Sequence, residues 1–167
     1  VGAQILYTWR SLERSRGRYD FSAIHKDLEY LNSKGKKLFL QLQDVTFDPK
    51  RPAVPDYLRT PEFDAGEFEK RKENGVSSGW VAKRWDPKVR NRFSLLLKAL
   101  GEEFDGKIEG INLAETAAEG LASKRDPSFS PERYSEAIKA NMSALKQAFP
   151  KSVTMQYANF MPGEWLP

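Results

Sequence analysis

The stretch KIEGINLAETA at residues 107–117 decides how this chain reads. Ile108, Gly110, Ile111 and Leu113 form a short apolar strand pattern that runs into a carboxylate, Glu115, then small residues and a loop reaching Phe129. A helical pattern flanks the stretch on each side. That predicts an interior strand of a parallel sheet, covered on both faces. Ligands in such folds bind beyond the carboxyl ends of the strands, where Glu115 falls. Taken alone, Glu115 fits a solvated loop acid or a helix-start acid equally well, because acidic residues mostly lie exposed.

Upstream of that strand, Asp86-Pro87 opens a helix whose Val89, Phe93, Leu96, Leu97, Leu100 and Phe104 share one stripe, closed by Asp105-Gly106. Downstream, Ser130 is an N-cap with Pro131 at the first helical position, and Tyr134, Ile138, Leu145 and Phe149 form the apolar face. Residues 153–157 then read as a last strand, with ANFMPGEWLP beyond its end.

At the other end, residues 1–8 read as a buried strand leading to Trp9. Gly17 breaks the following turn, and Asp20 is expected to cap a helix with Phe21, Ile24, Leu28 and Leu31 on one side. In KLFLQLQ, residues 37–43, Leu38, Leu40 and Leu42 alternate with Phe39, Gln41 and Gln43. Amides on one face of a buried strand must be hydrogen-bonded, which points them at a polar barrel interior or a site mouth. The alternative is an edge strand with one wet face.

Residues 45–86 form a connection far longer than the roughly 2–6 residues usual after such a strand. The pattern there predicts a short helix at 56–59 and a hairpin turning at Asn74-Gly75. Trp80 and Trp85 argue against a loose polar tail.

The order is strand, helix, strand, long loop, helix, strand, helix, strand, without a repeat or a domain linker. Such alternation implies right-handed crossovers and a parallel α/β sheet, either doubly wound or barrel-like. Trp9, Asp44, Glu115, Asn159 and Glu164 each follow a strand.

At 167 residues, with 40% hydrophobic and 30% charged residues, the chain suits one globular domain or part of a barrel. A whole barrel takes about 250 residues. It begins at Val1 and ends at Pro167 in a loop, so both ends are expected to be cut, and a secreted or periplasmic location is favoured over others. The absence of Cys excludes disulfides and thiolate metal sites within it. No apolar run approaches the roughly 20 residues that span a bilayer. The net charge of +4 arises from 27 basic residues interleaved with 23 acidic ones, so neither nucleic acid nor membrane is expected as a partner. Pairs such as Lys83 and Arg84 are expected to be solvated.

At WRSLERSRGRYDF, residues 9–21, the chain resembles the retaining glycoside hydrolases of the large (β/α)8-barrel clan, and the resemblance recurs at the strand before Glu115. It implies an incomplete (β/α)8 barrel comprising roughly strands 2 to 5, a single partial catalytic domain with an insertion at 45–86. It further implies Glu115 as general acid/base, a nucleophile beyond Pro167, no cofactor, and an oligo- or polysaccharide substrate. This segment alone is then expected to lack hydrolase activity. The clan usually has Asn directly before the acid/base, whereas Ala114 stands here and Asn112 lies three back. Residues three apart on a strand face opposite ways, so Asn112 is expected to point away from Glu115 unless a bulge intervenes. Trp9, Trp80, Trp85 and Trp165 are candidates for stacking on sugar rings, with core or loop packing as the alternative for each; Arg10, Gln43, Asp44, Asn112, Tyr157 and Asn159 are candidates for binding hydroxyls, and Glu164 for a substrate contact. Glu119 is a rival to Glu115.

Two other function classes fit the sequence less well. A metal-dependent barrel enzyme usually needs histidines near the strand ends, and the sole one, His25, falls in the first helix. A barrel that binds carbohydrate without cleaving it would keep the tryptophans and dispense with acid/base geometry.

Overall fold

In the computed structural model, residues 1–72, 74–116, 125–159 and 161 are described. Strands β1 (Gly2–Thr8), β4 (Lys37–Gln43), β7 (Gly110–Leu113) and β8 (Val153–Gln156) form one sheet in that spatial order, every pair parallel. Between β1 and β4 lie the one-turn helix α1 (Trp9–Leu12), the small hairpin of β2 (Glu13–Ser15) and β3 (Arg18–Tyr19), and helix α2 (Ser22–Ser33). Helix α3 (Pro87–Phe104) precedes β7, and α4 (Pro131–Ala148) precedes β8. The predicted order of strands and long helices therefore holds, as does the parallel sheet.

The caps account for where the long helices start. Asp86 Oδ1 accepts from the backbone N–H of Lys88 and Val89, and Ser130 Oγ from that of Arg133, each with proline next in the chain. Asp20 differs from expectation: the residue at the N-cap of α2 is Phe21, and Asp20 instead accepts from the backbone N–H and hydroxyl of Ser22. Helices α3 and α4 pack closely because residue 101 is glycine; a Cβ there would overlap the carbonyl oxygen of Ala148.

Strand alternation divides the sheet into two chemically different faces. Leu38, Leu40, Leu42, Ile111 and Leu113 point to one side and join Ile24, Leu28, Phe93, Leu97 and Phe104 in the main core. The parallel register aligns Gln4 with Phe39, and Gln41 with Asn112 and Met155, on the other, concave side. Strand β1 is a sheet edge instead of the buried strand expected, and Leu6 is 53% exposed on it.

The long connection is ordered by its own hairpin, β5 (Glu67–Arg71) with β6 (Ser77–Ala82), turning through Asn74-Gly75 as predicted. It carries a 3-10 turn at Asp56–Leu58. A bridge from Val45 to Val81 ties this excursion to the end of β4. A second apolar cluster, built from Phe68, Trp85, Ala114, Phe129, Tyr134 and Ile138, fills the space between the hairpin and α4. Among the described residues no helix is long and apolar enough to cross a membrane.

Candidate functional site

The concave face of the sheet holds a cavity of about 590 Å³ lined by Gln4, Phe39, Gln41, Gln43, Phe47, Asn112, Glu115, Met155 and Tyr157. Glu115 lies two residues past the end of β7 and is partly exposed to this space. Its Oε2 accepts from Asn159 Nδ2 at 3.0 Å, a partner that arrives from just beyond β8. The two strand ends are also tied through Thr116, whose hydroxyl donates to Asn159 O at 2.6 Å and accepts from Asn159 N at 2.8 Å.

Behind Glu115 sits a buried polar cluster. Arg84, 4% exposed, donates from Nε and Nη2 to the carboxylate of Asp44 at 2.8 and 2.5 Å. Its Nη1 donates to Glu115 O at 2.8 Å and to Tyr134 Oη at 2.7 Å. Tyr134 in turn donates to Thr116 O at 2.8 Å. Consecutive carbonyls of the Glu115 loop are thus held by a planar, charged fork and a phenol, in a place where neither could find water. Burial alone would push the Arg84 guanidinium down, but Asp44 and Tyr134 hold it above the usual arginine range. Burial also raises the Tyr134 phenol, keeping it a neutral donor.

No family model matches the sequence, and no curated protein matches it. Solved structures do match the architecture. The GH5_18 protein from Bifidobacterium longum subsp. longum superposes with a TM-score of 0.64 at 11% identity, over 95% of this chain and 34% of that one. The GH5_18 protein from Streptomyces cattleya gives 0.63 at 12%, over 93% and 35%. Endo-glycoceramidase II from a Rhodococcus species gives 0.59 at 16%, over 92% and 40%. The fold is that of a partial (β/α)8 barrel. The chain spans about a third of the length of these first two structures, and the likeness is one of fold. In a barrel the concave face is the interior, and the carboxyl ends of the strands form the mouth in which active sites sit. Glu115 and Asn159 both lie at that mouth.

The residues singled out from sequence separate into two groups. Gln43, Asn112, Glu115 and Tyr157 line the cavity together, and Asn159 joins them through Glu115. Asn112 does not point away from Glu115 as alternation predicts. Regular strand ends at Leu113, so the two-residue period no longer applies by position 115. Asn112 Oδ1 accepts from Gln4 Nε2 at 2.8 Å across the intervening strand.

Trp9, Trp80, Trp85, Arg10 and Asp44 stand outside the cavity, Trp80 packed against the main core and Trp85 buried in the second apolar cluster. Trp9 is fully enclosed, packs against Phe93 and donates to Glu13 Oε2 at 2.8 Å, so it has no open face for a sugar. Arg10 forms a two-bonded ion pair with Asp56, at 2.6 and 2.7 Å, in a separate surface hollow. Asp44, 3% exposed, has its carboxylate committed to Arg84. The expectation that Lys83 and Arg84 are solvated is also corrected. Lys83 is buried between Asp64 at 2.6 Å and Asp126 at 3.0 Å, because each cation finds a carboxylate distant in sequence. Trp165, Glu164 and Glu119 lie outside the described residues.

Gln4, Phe39, Phe47 and Met155 were not singled out as site residues. The two-residue period of β1 and β4 could have found Gln4 and Phe39. Nothing local marks Phe47. Gln43 Oε1 and Asn159 Oδ1 are buried acceptors with no protein hydrogen-bond partner among the described residues, and Gln43 lies on the cavity wall. Among the described residues no group of three or more His, Asp or Glu side chains could hold a metal ion.

Proposed function

We propose that the protein carrying this chain is a retaining glycoside hydrolase. In this reading β1, β4, β7 and β8 are the second to fifth strands of its barrel, residues 1–167 are one partial catalytic domain, and Glu115 is the general acid/base. The observation that carries the proposal is the place of Glu115: a carboxylate at the mouth of a parallel barrel, over a cavity walled by amides. Asn159 occupies one carboxylate oxygen, leaving the other to protonate a departing glycosidic oxygen and later to activate water. Gln43 Oε1, which has no hydrogen-bond partner among the described residues, offers an acceptor for a sugar hydroxyl. The nucleophile, a second carboxylate about 5–5.5 Å away, would come from outside this chain, and the segment alone would then not turn over substrate. The GH5_18 structures were solved with Manβ1-4GlcNAc and the endo-glycoceramidase with a cellobiose-like isofagomine, which supports an oligosaccharide substrate.

The test is hydrolysis of aryl glycosides by the full protein with and without Glu115→Gln. Loss of acid/base assistance should lower kcat/KM by about 10²–10⁴-fold for poor leaving groups, and by less for a dinitrophenolate, which departs without a proton. Equal loss on both substrates, or none, would refute the role. One observation favours a barrel that binds sugar without cleaving it: Ala114 stands where the resemblance leads one to expect an amide, and Asn112 is already engaged by Gln4. Oligosaccharide binding with no turnover by the unaltered protein would establish that reading instead.

A further inference from the structure

Phe47 borders the Glu115 cavity yet is 67% exposed. Its position is nevertheless closely determined. Lys70 Nζ lies 3.9 Å from the ring centroid on one face, and Lys70 itself is 1% exposed. The backbone just before the ring is bound into the hairpin: Thr46 N donates to Trp80 O at 2.8 Å, and Trp80 N to Thr46 Oγ1 at 3.1 Å. Trp80 Nε1 donates to Pro49 O at 2.9 Å, fixing the chain on the other side. The two backbones approach so closely that a Cβ on Gly79, where φ is +122°, would overlap Thr46 O and crowd Phe47 Cα.

A large apolar ring held this firmly and left open contributes little to the fold through its free face. Next to it the cavity wall carries the amides of Gln41, Gln43 and Asn112, and a second exposed ring, Tyr157, borders the same space. A flat apolar surface beside hydrogen-bonding amides complements a pyranose, which has apolar C–H faces and a hydroxyl rim.

We propose that Phe47 is a stacking platform for a sugar ring of the substrate, at a subsite adjoining Glu115, with Lys70 fixing the ring from behind. The proposal deepens the glycosidase reading and rests on it for the ligand class, but it is tested by binding alone. Cellotetraose and mannotetraose are titrated calorimetrically into the full protein carrying Glu115→Gln, and into the same protein with Phe47→Ala, Phe47→Leu or Phe47→Tyr added. At least one tetrasaccharide should bind the parent. Phe47→Ala and Phe47→Leu should weaken that binding about tenfold, equivalent to about 1.4 kcal/mol, while Phe47→Tyr, which keeps a flat ring, retains it. Because Phe47 is exposed, melting temperatures should stay close to the parent's, and Phe47→Leu keeps apolar cover on Lys70 should Phe47→Ala fold poorly. Equal affinity in the parent and Phe47→Leu, or no binding of either sugar to the parent, overturns the platform. Ring-dependent binding, together with no cleavage of aryl glycosides by the unaltered full protein, upholds the platform and overturns the hydrolase reading.

Discussion

Tyr134→Phe isolates what the buried cluster behind Glu115 contributes. The change deletes one hydroxyl and almost no volume. That hydroxyl accepts from Arg84 Nη1 and donates to Thr116 O, and the residue is wholly enclosed. Arg84 keeps Asp44 and Glu115 O, so its charge stays paired. What is lost is the donor to a buried carbonyl, at a cost of about 1–3 kcal/mol. Asp44→Ala should be worse, at about 3–5 kcal/mol, because it leaves a buried guanidinium without its counter-ion. Exchanging both partners, Asp44→Leu with Arg84→Met, removes the desolvated charges together. That should recover part of the loss, since apolar replacement of a buried pair is often neutral or better, while Glu115 O still lacks its donor. Urea unfolding of the variants at neutral pH ranks them. The account fails if Tyr134→Phe lies within about 0.5 kcal/mol of the unaltered protein, or if Asp44→Ala costs no more than Tyr134→Phe.

Gly101→Ala sets two effects against each other. Alanine gains about 1 kcal/mol of helix propensity, but its Cβ would overlap Ala148 O and force α3 from α4 at about 1–3 kcal/mol; a lower melting temperature is expected, and a higher one would show that the helices are not in close contact. Asp126 gives a pH signature. Burial raises its carboxyl, yet Ser128 and the Lys83 ammonium outweigh this and hold it below the usual range. The stabilisation is therefore complete above the ordinary carboxylate value and lost as pH falls through the depressed one. The stability gap between the unaltered protein and Asp126→Asn, measured by urea unfolding, should narrow on acidification, and a constant gap would contradict the assignment. On the concave face Leu6, Val153 and Met155 are each about half exposed and β1 and β8 are sheet edges, so this chain by itself should self-associate in light scattering. Leu6→Glu with Met155→Glu should reduce that association, and a monomer at all concentrations would count against it.

The long helices were legible because their signals are local. Asp86-Pro87 and Ser130-Pro131 each supply a side-chain acceptor and a preset φ, and the apolar stripes that follow tell the chain which face to bury. The alternation in KLFLQLQ likewise separates the core leucines from the cavity amides. Phe47 was not legible, since its placement depends on Lys70 against its ring and on Trp80 bonded to the flanking Thr46 and Pro49, all more than twenty residues away.

Asp44 and Glu115 show where sequence stops. Each is an acid just past the carboxyl end of a strand, so the one-dimensional pattern determines the placement of both and treats them alike. Only the tertiary structure separates their roles. Arg84, brought back from the far end of a long excursion, neutralises Asp44 in the interior, while the Glu115 side chain meets an amide and an open cavity. Periodicity and capping act between neighbours in the chain and are written there, whereas the pairing of a buried charge depends on which partner the folded backbone delivers across space.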